Sequence, residues 1–138
     1  MDEILEEMLS NAYSQIIYNE ENILKKLSDI TIKELRTLQV ISRGEKNGNN
    51  TSTIVANYLG ISLGTLTTNV DRLIKKGLVD KDKLIEDKRT TVLTLTQLGK
   101  KILKEYNNEH LKIVRSTIEH LTPKEKVVLV SVFNKFDI

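Results

Sequence analysis

The chain has 138 residues, the length of one domain, and its 39% hydrophobic and 29% charged residues are an ordinary composition for a soluble protein. It contains no cysteine, which excludes disulfides, thiolate metal sites and thiol-based redox switching. The net charge is only +2, but residues 1–34 hold 3 basic and 8 acidic residues, whereas residues 35–138 hold 18 and 11. We therefore expect a basic, partner-binding surface beyond the first helix.

The amino terminus, MDEILEEMLS, carries acidic side chains where a secretory signal needs a basic flank. No apolar run in the sequence is long enough to span a bilayer. We therefore expect a cytoplasmic protein with no membrane partner.

The first third of the chain predicts two helices. Apolar residues recur at helical spacing over residues 2–27, so an amphipathic helix is predicted whose long apolar stripe needs a partner. Thr31 and Glu34 have the spacing of a capping box, which predicts a second helix from about Ile32 towards Arg43. The segment 44–50, GEKNGNN, predicts an exposed loop.

Two short helices are predicted next. Thr51 can cap the first, and Gly60 can end it because a residue without a Cβ adopts the left-handed conformation easily. Ser62 can cap the helix that follows. Two short helices joined through LGIS have the spacing of a helix-turn-helix.

A β-hairpin follows the two short helices. The stretches 78–81 and 90–95 are β-prone and flank a charged tip at 83–89, so a hairpin is predicted. A helix-turn-helix followed by a basic hairpin is a winged helix. The predicted hairpin, together with the two short helices, therefore predicts a winged-helix domain.

Two more helices complete the chain. Thr96 can cap a long helix to about His120, and Thr122 and Glu125 form a second capping box for a helix towards Phe136. The predicted fold class is mainly α with a small β-hairpin wing, in one domain of about six helices over residues 1–138.

The helix after Ser62 has two predicted faces. At 100° per residue an apolar arc starts at Leu63 and must pack on the domain; its other members are Leu66, Val70, Leu73 and Ile74. The opposite arc is polar and basic, and it holds Gly64, Thr65, Thr68, Arg72, Lys75 and Lys76, with Asn69 and Asp71 at its edges.

The composition of the polar arc favours contact with DNA. Gly, Thr and Asn are poor helix formers, and a face exposed only to water is more naturally filled with Glu, Lys, Gln or Ala. In a major groove Thr and Asn can donate and accept at base edges, and Gly lets the backbone approach a phosphate. The DNA-binding residues predicted on this helix are Ser62, Gly64, Thr65, Thr67, Thr68, Asn69, Arg72 and Lys75. For the lysines a solvated charge or a phosphate contact is sufficient.

The hairpin tip carries a second set of candidates. Arg89 could enter a narrow minor groove, where the negative potential is enhanced, and Lys88 lies beside it. Asp87 is predicted to hold the Arg89 guanidinium in one orientation. An ordinary charged turn is the alternative, especially for the lysines.

The inventory of reactive residues argues against an enzyme. His110 and His120 lie ten residues apart on one predicted helix, and neither a glycine-rich phosphate loop nor a serine elbow is present. We therefore predict no catalytic residue, no metal and no cofactor. A winged helix that binds another protein, without preference for any DNA site, is the second alternative.

The order of elements, together with LGIS, TLTTNVDRLIKKGLV and EDKRTTVLTLTQLGK, resembles the MarR family of winged helix-turn-helix regulators over nearly the whole chain. The resemblance implies a homodimer in which residues 1–30 and 97–138 interlock between chains and residues 31–96 bind double-stranded DNA. Two-fold symmetry then predicts a pseudo-palindromic operator with half-sites about 34 Å, or a multiple of that, apart.

Two segments, DITIKE at 29–34 and SLGTLTT at 62–68, resemble the subgroup that represses fatty-acid synthesis genes in Gram-positive bacteria. This resemblance implies a repressor with long-chain acyl groups on acyl carrier protein as co-repressor, and an apolar tunnel between the dimer region and the DNA-binding lobe. Because that carrier is acidic, Arg36, Arg43 or Arg72 could receive it. Another small apolar or aromatic effector is the alternative.

Overall fold

The computed structural model describes residues 1–27 and 29–136. Within them the elements are α1 (Asp2–Leu27), α2 (Ile32–Asn47), α3 (Ser52–Leu59), α4 (Leu63–Lys75), β1 (Val79–Lys83), β2 (Thr91–Leu95), α5 (Gln97–Ile118) and α6 (Pro123–Phe133). The predicted fold class, mainly α with a small hairpin, is therefore confirmed. None of the described helices has the length and hydropathy that a membrane span requires.

Hydroxyl side chains begin five of the six described helices at the predicted positions. Each accepts a hydrogen bond from the backbone N–H three residues later, which satisfies a donor that the helix itself leaves unpaired. At the last helix Glu125 also accepts from the Thr122 N–H at 2.7 Å, so the predicted capping box is complete. At α2 the reciprocal half of the prediction is wrong, because the Glu34 carboxylate binds Lys76 instead.

Helix α2 is four residues longer than predicted, because Gly44 to Asn47 are helical rather than part of a loop. The helix ends at Gly48, which has φ 71°. Beyond it the chain turns back, and the Asn49 N–H donates to the Gly44 carbonyl at 2.8 Å. A Cβ on Gly44 would lie 2.5 Å from the Asn49 oxygen, so this glycine serves a close approach inside a helix rather than a flexible loop.

The hairpin pairs Val79 with Leu95 and Lys83 with Thr91, within one or two residues of the predicted strands. It is also joined to the residues before α3. Asn50 and Leu93 exchange two hydrogen bonds, from the Asn50 amide at 2.7 Å and from the Leu93 N–H at 2.9 Å. The wing is therefore attached to the segment before α3 through the middle of β2 as well as through its base.

One hydrophobic core lies between α2, α3, α4 and the hairpin. Its most deeply buried residues are Leu35, Leu38, Ile41, Val55, Leu66, Leu73, Leu78 and Leu93. The end of α1, through Ile23 and Leu24, and the first half of α5, through Leu103 and Tyr106, complete it. This core fixes α4 with one face inward and the other outward.

Residues 1–18 and 111–136, which we call the helical arms, lie outside this core. All of residues 1–18 are exposed, and so is every residue of 111–136 except the half-buried Leu121. Many of these exposed side chains are large and apolar: Ile4, Leu5, Met8, Leu9, Ile16, Leu111, Val127, Val128, Val130 and Phe133. The predicted apolar stripe of α1 is therefore covered at its end, by the core around Ile23 and Leu24, and is uncovered over residues 1–18 within the described part of the single chain.

Candidate nucleic-acid interface

Helix α4 presents its polar side outward because its apolar side is part of the core. Leu66, Val70 and Leu73 are at most 3% exposed, as the predicted apolar arc requires. Leu63 does not belong to that arc in the structure, since its side chain is 51% exposed. It is the first residue of the helix, and it lies in a groove beside the wing rather than in the core.

The outer face of α4 is rich in short side chains whose hydroxyl hydrogens are already used. Thr67 donates to the Leu63 carbonyl at 2.9 Å, and Thr68 donates to the Gly64 carbonyl at 3.2 Å. Each hydroxyl therefore has oxygen lone pairs and a neighbouring methyl left for a ligand. In a major groove such a surface favours the amino groups of adenine and cytosine and the methyl group of thymine.

The predicted DNA-binding residues of α4 lie together on this face. Ser62, Gly64, Thr65, Thr67, Thr68, Arg72 and Lys75 are exposed, and Asn69 is half-buried at the edge. Within residues 1–27 and 29–136 no acidic side chain forms an ion pair with Arg72 or Lys75. Their charges are therefore available to a phosphate.

Lys76, on the same predicted arc, behaves differently from Lys75. Its Nζ donates to the Asp29 carbonyl and to Glu34 Oε2. A phosphate contact, which the sequence left open for this lysine, would have to compete with two intrachain acceptors. Lys76 is therefore part of the packing of α4, and Lys75 is the lysine that faces solvent.

The wing tip is organised by Asp87. Its Oδ1 accepts the Arg89 backbone N–H and its Oδ2 accepts the Thr90 hydroxyl, both at 3.0 Å. The predicted contact with the Arg89 guanidinium is wrong, because the carboxylate is occupied by the turn itself. That Asp87 positions the wing stays a prediction, but the group it would hold is the backbone of the turn and not the Arg89 side chain. Among the described residues no carboxylate forms an ion pair with Lys88 or Arg89.

A groove of about 560 Å³ separates α4 from the wing. Leu63 and Thr67 line it from α4, and Lys83 and Arg89 line it from the hairpin. Ser52 and Thr53, at the start of α3, add two hydroxyls that we did not single out in the sequence. Their place directly after the cap residue was the available signal, because the first turn of a helix exposes unpaired N–H groups. One edge of the outer face of α4, at Thr67, and the wing residue Arg89 thus line the same groove.

A model of the SarA/Rot family of transcriptional regulators matches residues 20–106. The chain belongs to this family. The match extends from the end of α1 to the first half of α5, and it contains every residue predicted to contact DNA. Because the family is one of transcriptional regulators, the prediction that this chain is not an enzyme is confirmed.

Similar proteins support the assignment to the SarA/Rot family. The HTH-type transcriptional regulator YfiV of Bacillus subtilis is 34% identical over 99 residues, which are 71% of this chain and 59% of YfiV. The chain thus spans about three fifths of that relative. YpoP of the same species, another HTH-type transcriptional regulator, is 25% identical over 133 residues, covering 96% of this chain and 91% of YpoP.

Two solved structures show where the fold of this SarA/Rot protein belongs. Streptococcus pneumoniae FabT in complex with DNA superposes with a TM-score of 0.79 at 27% identity, covering 96% of this chain and 92% of FabT. A MarR family protein from Bacillus stearothermophilus superposes with a TM-score of 0.79 at 23% identity, covering 95% and 89%. The second likeness shows the fold alone. The resemblance to MarR-type winged helix-turn-helix proteins is confirmed.

The candidate effector residues Arg36 and Arg43 have partners within the SarA/Rot chain. Arg36 binds both oxygens of Glu20, at 2.9 and 2.8 Å, and the Arg43 guanidinium lies 5.8 Å from the centre of the Tyr58 ring. Burial, together with the nearby Glu20 carboxylate, raises the pKa of Tyr106 to about 12. Arg36 therefore belongs to a cluster that joins α1, α2 and α5, and its contact with an effector stays a prediction.

The third candidate effector residue, Arg72, lines a cleft of about 700 Å³ between the end of α1, the start of α2 and α4.

His110, the histidine nearest the core, stacks on Tyr106 with ring centres 5.9 Å apart. Over the described residues, three or more potential metal-ligating side chains do not come together anywhere.

Proposed function

We propose that this protein is a sequence-specific regulator that binds double-stranded DNA as a homodimer and acts as a repressor. The observation that carries the proposal is the exposed polar face of α4, whose edge shares a groove with the wing residue Arg89. Thr67 and Thr68 on this face present acceptor oxygens, and within the described residues Arg72, Lys75 and Arg89 form no ion pair. This combination matches base reading in a major groove with an arginine beside it for the minor groove.

Homodimer formation is supported by the helical arms. Their exposed apolar side chains form faces that the single chain does not cover, and large uncovered patches of this kind are typical of subunit interfaces. Charge adds a second argument. The start of α1 is acidic, through Asp2, Glu3, Glu6 and Glu7. Residues 123–138 are weakly basic, with three lysines, Lys124, Lys126 and Lys135, against Glu125 and Asp137. A second copy therefore offers both apolar and charge complementarity.

The first experiment selects genomic fragments bound by the purified protein and measures their affinity by fluorescence anisotropy at several salt concentrations. We expect a pseudo-palindromic site, and an affinity that falls linearly on a logarithmic salt scale. A protein-binding module without DNA function would recover no preferred sequence. That result would overturn the proposal.

Two substitutions then separate base reading from phosphate binding. Thr68→Val keeps the shape of the side chain but removes its oxygen, and we expect about 1–3 kcal/mol of lost discrimination at particular base pairs. Lys75→Ala is expected to weaken binding to all sequences alike and to lower the salt slope. If both variants had the same sequence-independent effect, α4 would not be the reading helix.

We further propose, as the effector, long-chain acyl groups on acyl carrier protein, with fatty-acid synthesis genes as the regulated targets. The support is the 27% identity to FabT over 96% of this chain, together with the cleft beside Arg72. Leu24, Ile30 and Ile32 give that cleft apolar walls, which suit an acyl chain. Its charged lining residues are three cations, Lys25, Lys33 and Arg72, and three carboxylates, Glu21, Asp29 and Glu34.

The effector proposal is tested by titrating the selected operator with and without acyl carrier protein carrying a saturated long chain. We expect DNA affinity to rise about ten-fold, which corresponds to about 1.4 kcal/mol of coupling. The unloaded carrier is the control. Unchanged DNA affinity would remove this effector and leave the DNA-binding proposal standing, with a small apolar or aromatic ligand as the alternative to test.

A further inference from the structure

Lys76, just beyond the last residue of α4, reaches back to the junction between α1 and α2. Its Nζ donates to Glu34 Oε2 at 2.8 Å and to the Asp29 carbonyl, groups that lie 42 and 47 residues earlier in the chain. The Glu34 side chain is 7% exposed and that of Lys76 is 31% exposed. The residue that follows α4 is therefore tied to the segment that joins α1 to α2.

The ion pair between Glu34 and Lys76 is costly to break because the Glu34 carboxylate is buried. Glu34 stands in the first turn of α2, where its capping role would have placed it against the Thr31 amide. It binds Lys76 instead, and a buried carboxylate that loses its only cation is strongly unfavourable. Any displacement of α4 that separates these two groups therefore meets a steep energetic penalty.

The second ion pair of α4 is weaker by comparison. Asp71 and Lys81 join α4 to β1 at 3.1 Å, but both side chains are 49% exposed. Exposed pairs of this kind contribute little, because water and salt screen them. Within the described residues, α4 and its C-cap residue Lys76 form two ion pairs. Of these, the pair between Lys76 and Glu34 is the one that can fix the direction of the helix axis.

Lys76 itself is held by the chain around it. The Gly77 N–H donates to the Ile74 carbonyl and the Leu78 N–H donates to the Leu73 carbonyl, both at 2.9 Å, so α4 ends rigidly at this point. Arg72 lies one turn before Lys76 and lines the same cleft as Asp29 and Glu34. A shift at the α1–α2 junction would therefore be passed directly to a predicted DNA-binding residue.

We propose that Lys76 is a positioning residue for DNA reading, which sets the angle of α4 through Glu34 and does not itself bind phosphate. This inference rests on the proposed function as a DNA-binding regulator. It assigns opposite roles to two adjacent lysines, since Lys75 faces solvent and Lys76 faces the junction.

The test compares Lys76→Met, Glu34→Gln and the double variant in the full-length protein, with Lys75→Met as the matched control. Affinity is measured for the selected operator and for unrelated DNA at several salt concentrations. Circular dichroism and thermal melting confirm that each variant is folded at the temperature used. Glu34→Gln keeps the size of the side chain, so it supplies the measurement should Lys76→Met fail to fold.

We expect Lys76→Met and Glu34→Gln each to weaken operator binding by about three- to thirty-fold, the range of coupling through a packed network. Binding to unrelated DNA and the salt slope should stay the same, and the double variant should bind no worse than the weaker single variant. Lys75→Met should instead weaken both kinds of DNA and lower the salt slope by about one for each subunit.

Two results would overturn the role of Lys76. If Lys76→Met behaved like Lys75→Met, the lysine would be a phosphate ligand. If its melting temperature fell but the folded variant bound the operator normally, the ion pair would serve stability alone. Failure of the proposed function is distinguishable from both, because the wild-type protein would then select no DNA at all.

Discussion

The winged-helix lobe, residues 31–96, and the helical arms treat the same residue types in opposite ways. Leu35, Leu38 and Leu73 in the lobe are 0% exposed, whereas Leu9 and Val127 in the arms are 61% and 70% exposed. Both regions have helical apolar patterns. Such a pattern predicts that one face of the helix will be buried, but it does not predict whether the same chain or another molecule buries it. The apolar faces of the lobe are covered within the single chain, by the lobe itself, the end of α1 and the first half of α5. The apolar faces of the arms are exposed in the single chain, and in our proposal a second copy of the chain covers them.

The largest effect should follow from a charge placed in the arms. We expect Val128→Glu, at a side chain that is 62% exposed, to yield a monomer and to weaken operator binding by about 100-fold or more as two-site binding is lost. Sedimentation and anisotropy measure the two effects. Lys124→Gln changes the charge of the same helix by the same amount, and it should leave the dimer intact because a single exposed charge contributes little to association. A dimeric Val128→Glu would contradict the comparison.

A cavity in the lobe core should have a smaller but still large effect. In the monomeric Val128→Glu background, Leu38→Ala is expected to lower the free energy of unfolding by about 2–5 kcal/mol, since it removes buried apolar atoms. Leu9→Ala in the same background should change it by less than about 0.5 kcal/mol, because that side chain contacts mostly water. Urea unfolding measures both. Equal effects would mean that the arms fold onto the lobe of their own chain.

The join between the lobe and the start of α5 depends on a close approach at Gly99. A Cβ there would lie 2.2 Å from the Leu78 carbonyl oxygen, so Gly99→Ala should cost about 1–3 kcal/mol of stability as the backbone shifts. Gly64, on the outer face of α4, has open space around its Cβ position. Gly64→Ala should therefore be neutral or stabilising by up to about 1 kcal/mol. Thermal unfolding tests both, and a harmless Gly99→Ala would show that α5 can move away from the wing.

The smallest effect concerns Tyr106, which joins the first half of α5 to the lobe. Its pKa is raised from 10.0 to about 12, by burial first and then by the Glu20 carboxylate. Since the folded pKa exceeds the unfolded one, the neutral phenol contributes its full stability below pH 10 and loses it as the pH rises through 12. Tyr106→Phe should cost about 1 kcal/mol at neutral pH. Its deficit relative to wild type should shrink above pH 10 in urea unfolding, and a constant deficit would contradict this.

Local signals predicted most of this fold. Cap residues such as Ser62 and Thr96 fix where helices begin, because each satisfies a backbone donor within its own first turn. What failed depended on distant neighbours. Gly44 lies inside a helix, at a point where the returning chain passes too close for a side chain. The Glu34 carboxylate binds Lys76, 42 residues later, instead of capping α2. Neither contact has a trace in the local pattern.

The candidate site divides in the same way. The outer face of α4 followed from periodicity, and its residues are exposed as predicted except for Asn69 and Lys76, which are half-buried. The internal bonding of the threonine hydroxyls is a common option in helices, but only coordinates show that it is taken. The groove with Ser52 and Thr53 arises where three elements meet, which no single segment of sequence can display.

The hydrogen bonds between Asn50 and Leu93 have a consequence for the choice of binding site. They join the middle of β2 to the residue before the cap of α3, which restricts how far the hairpin can move from the helix-turn-helix. If the protein binds DNA as we propose, a duplex that differs in groove width must bend or twist to reach both α4 and the wing, and the cost of doing so depends on its base steps. We therefore expect sequence preference at base pairs that no side chain touches.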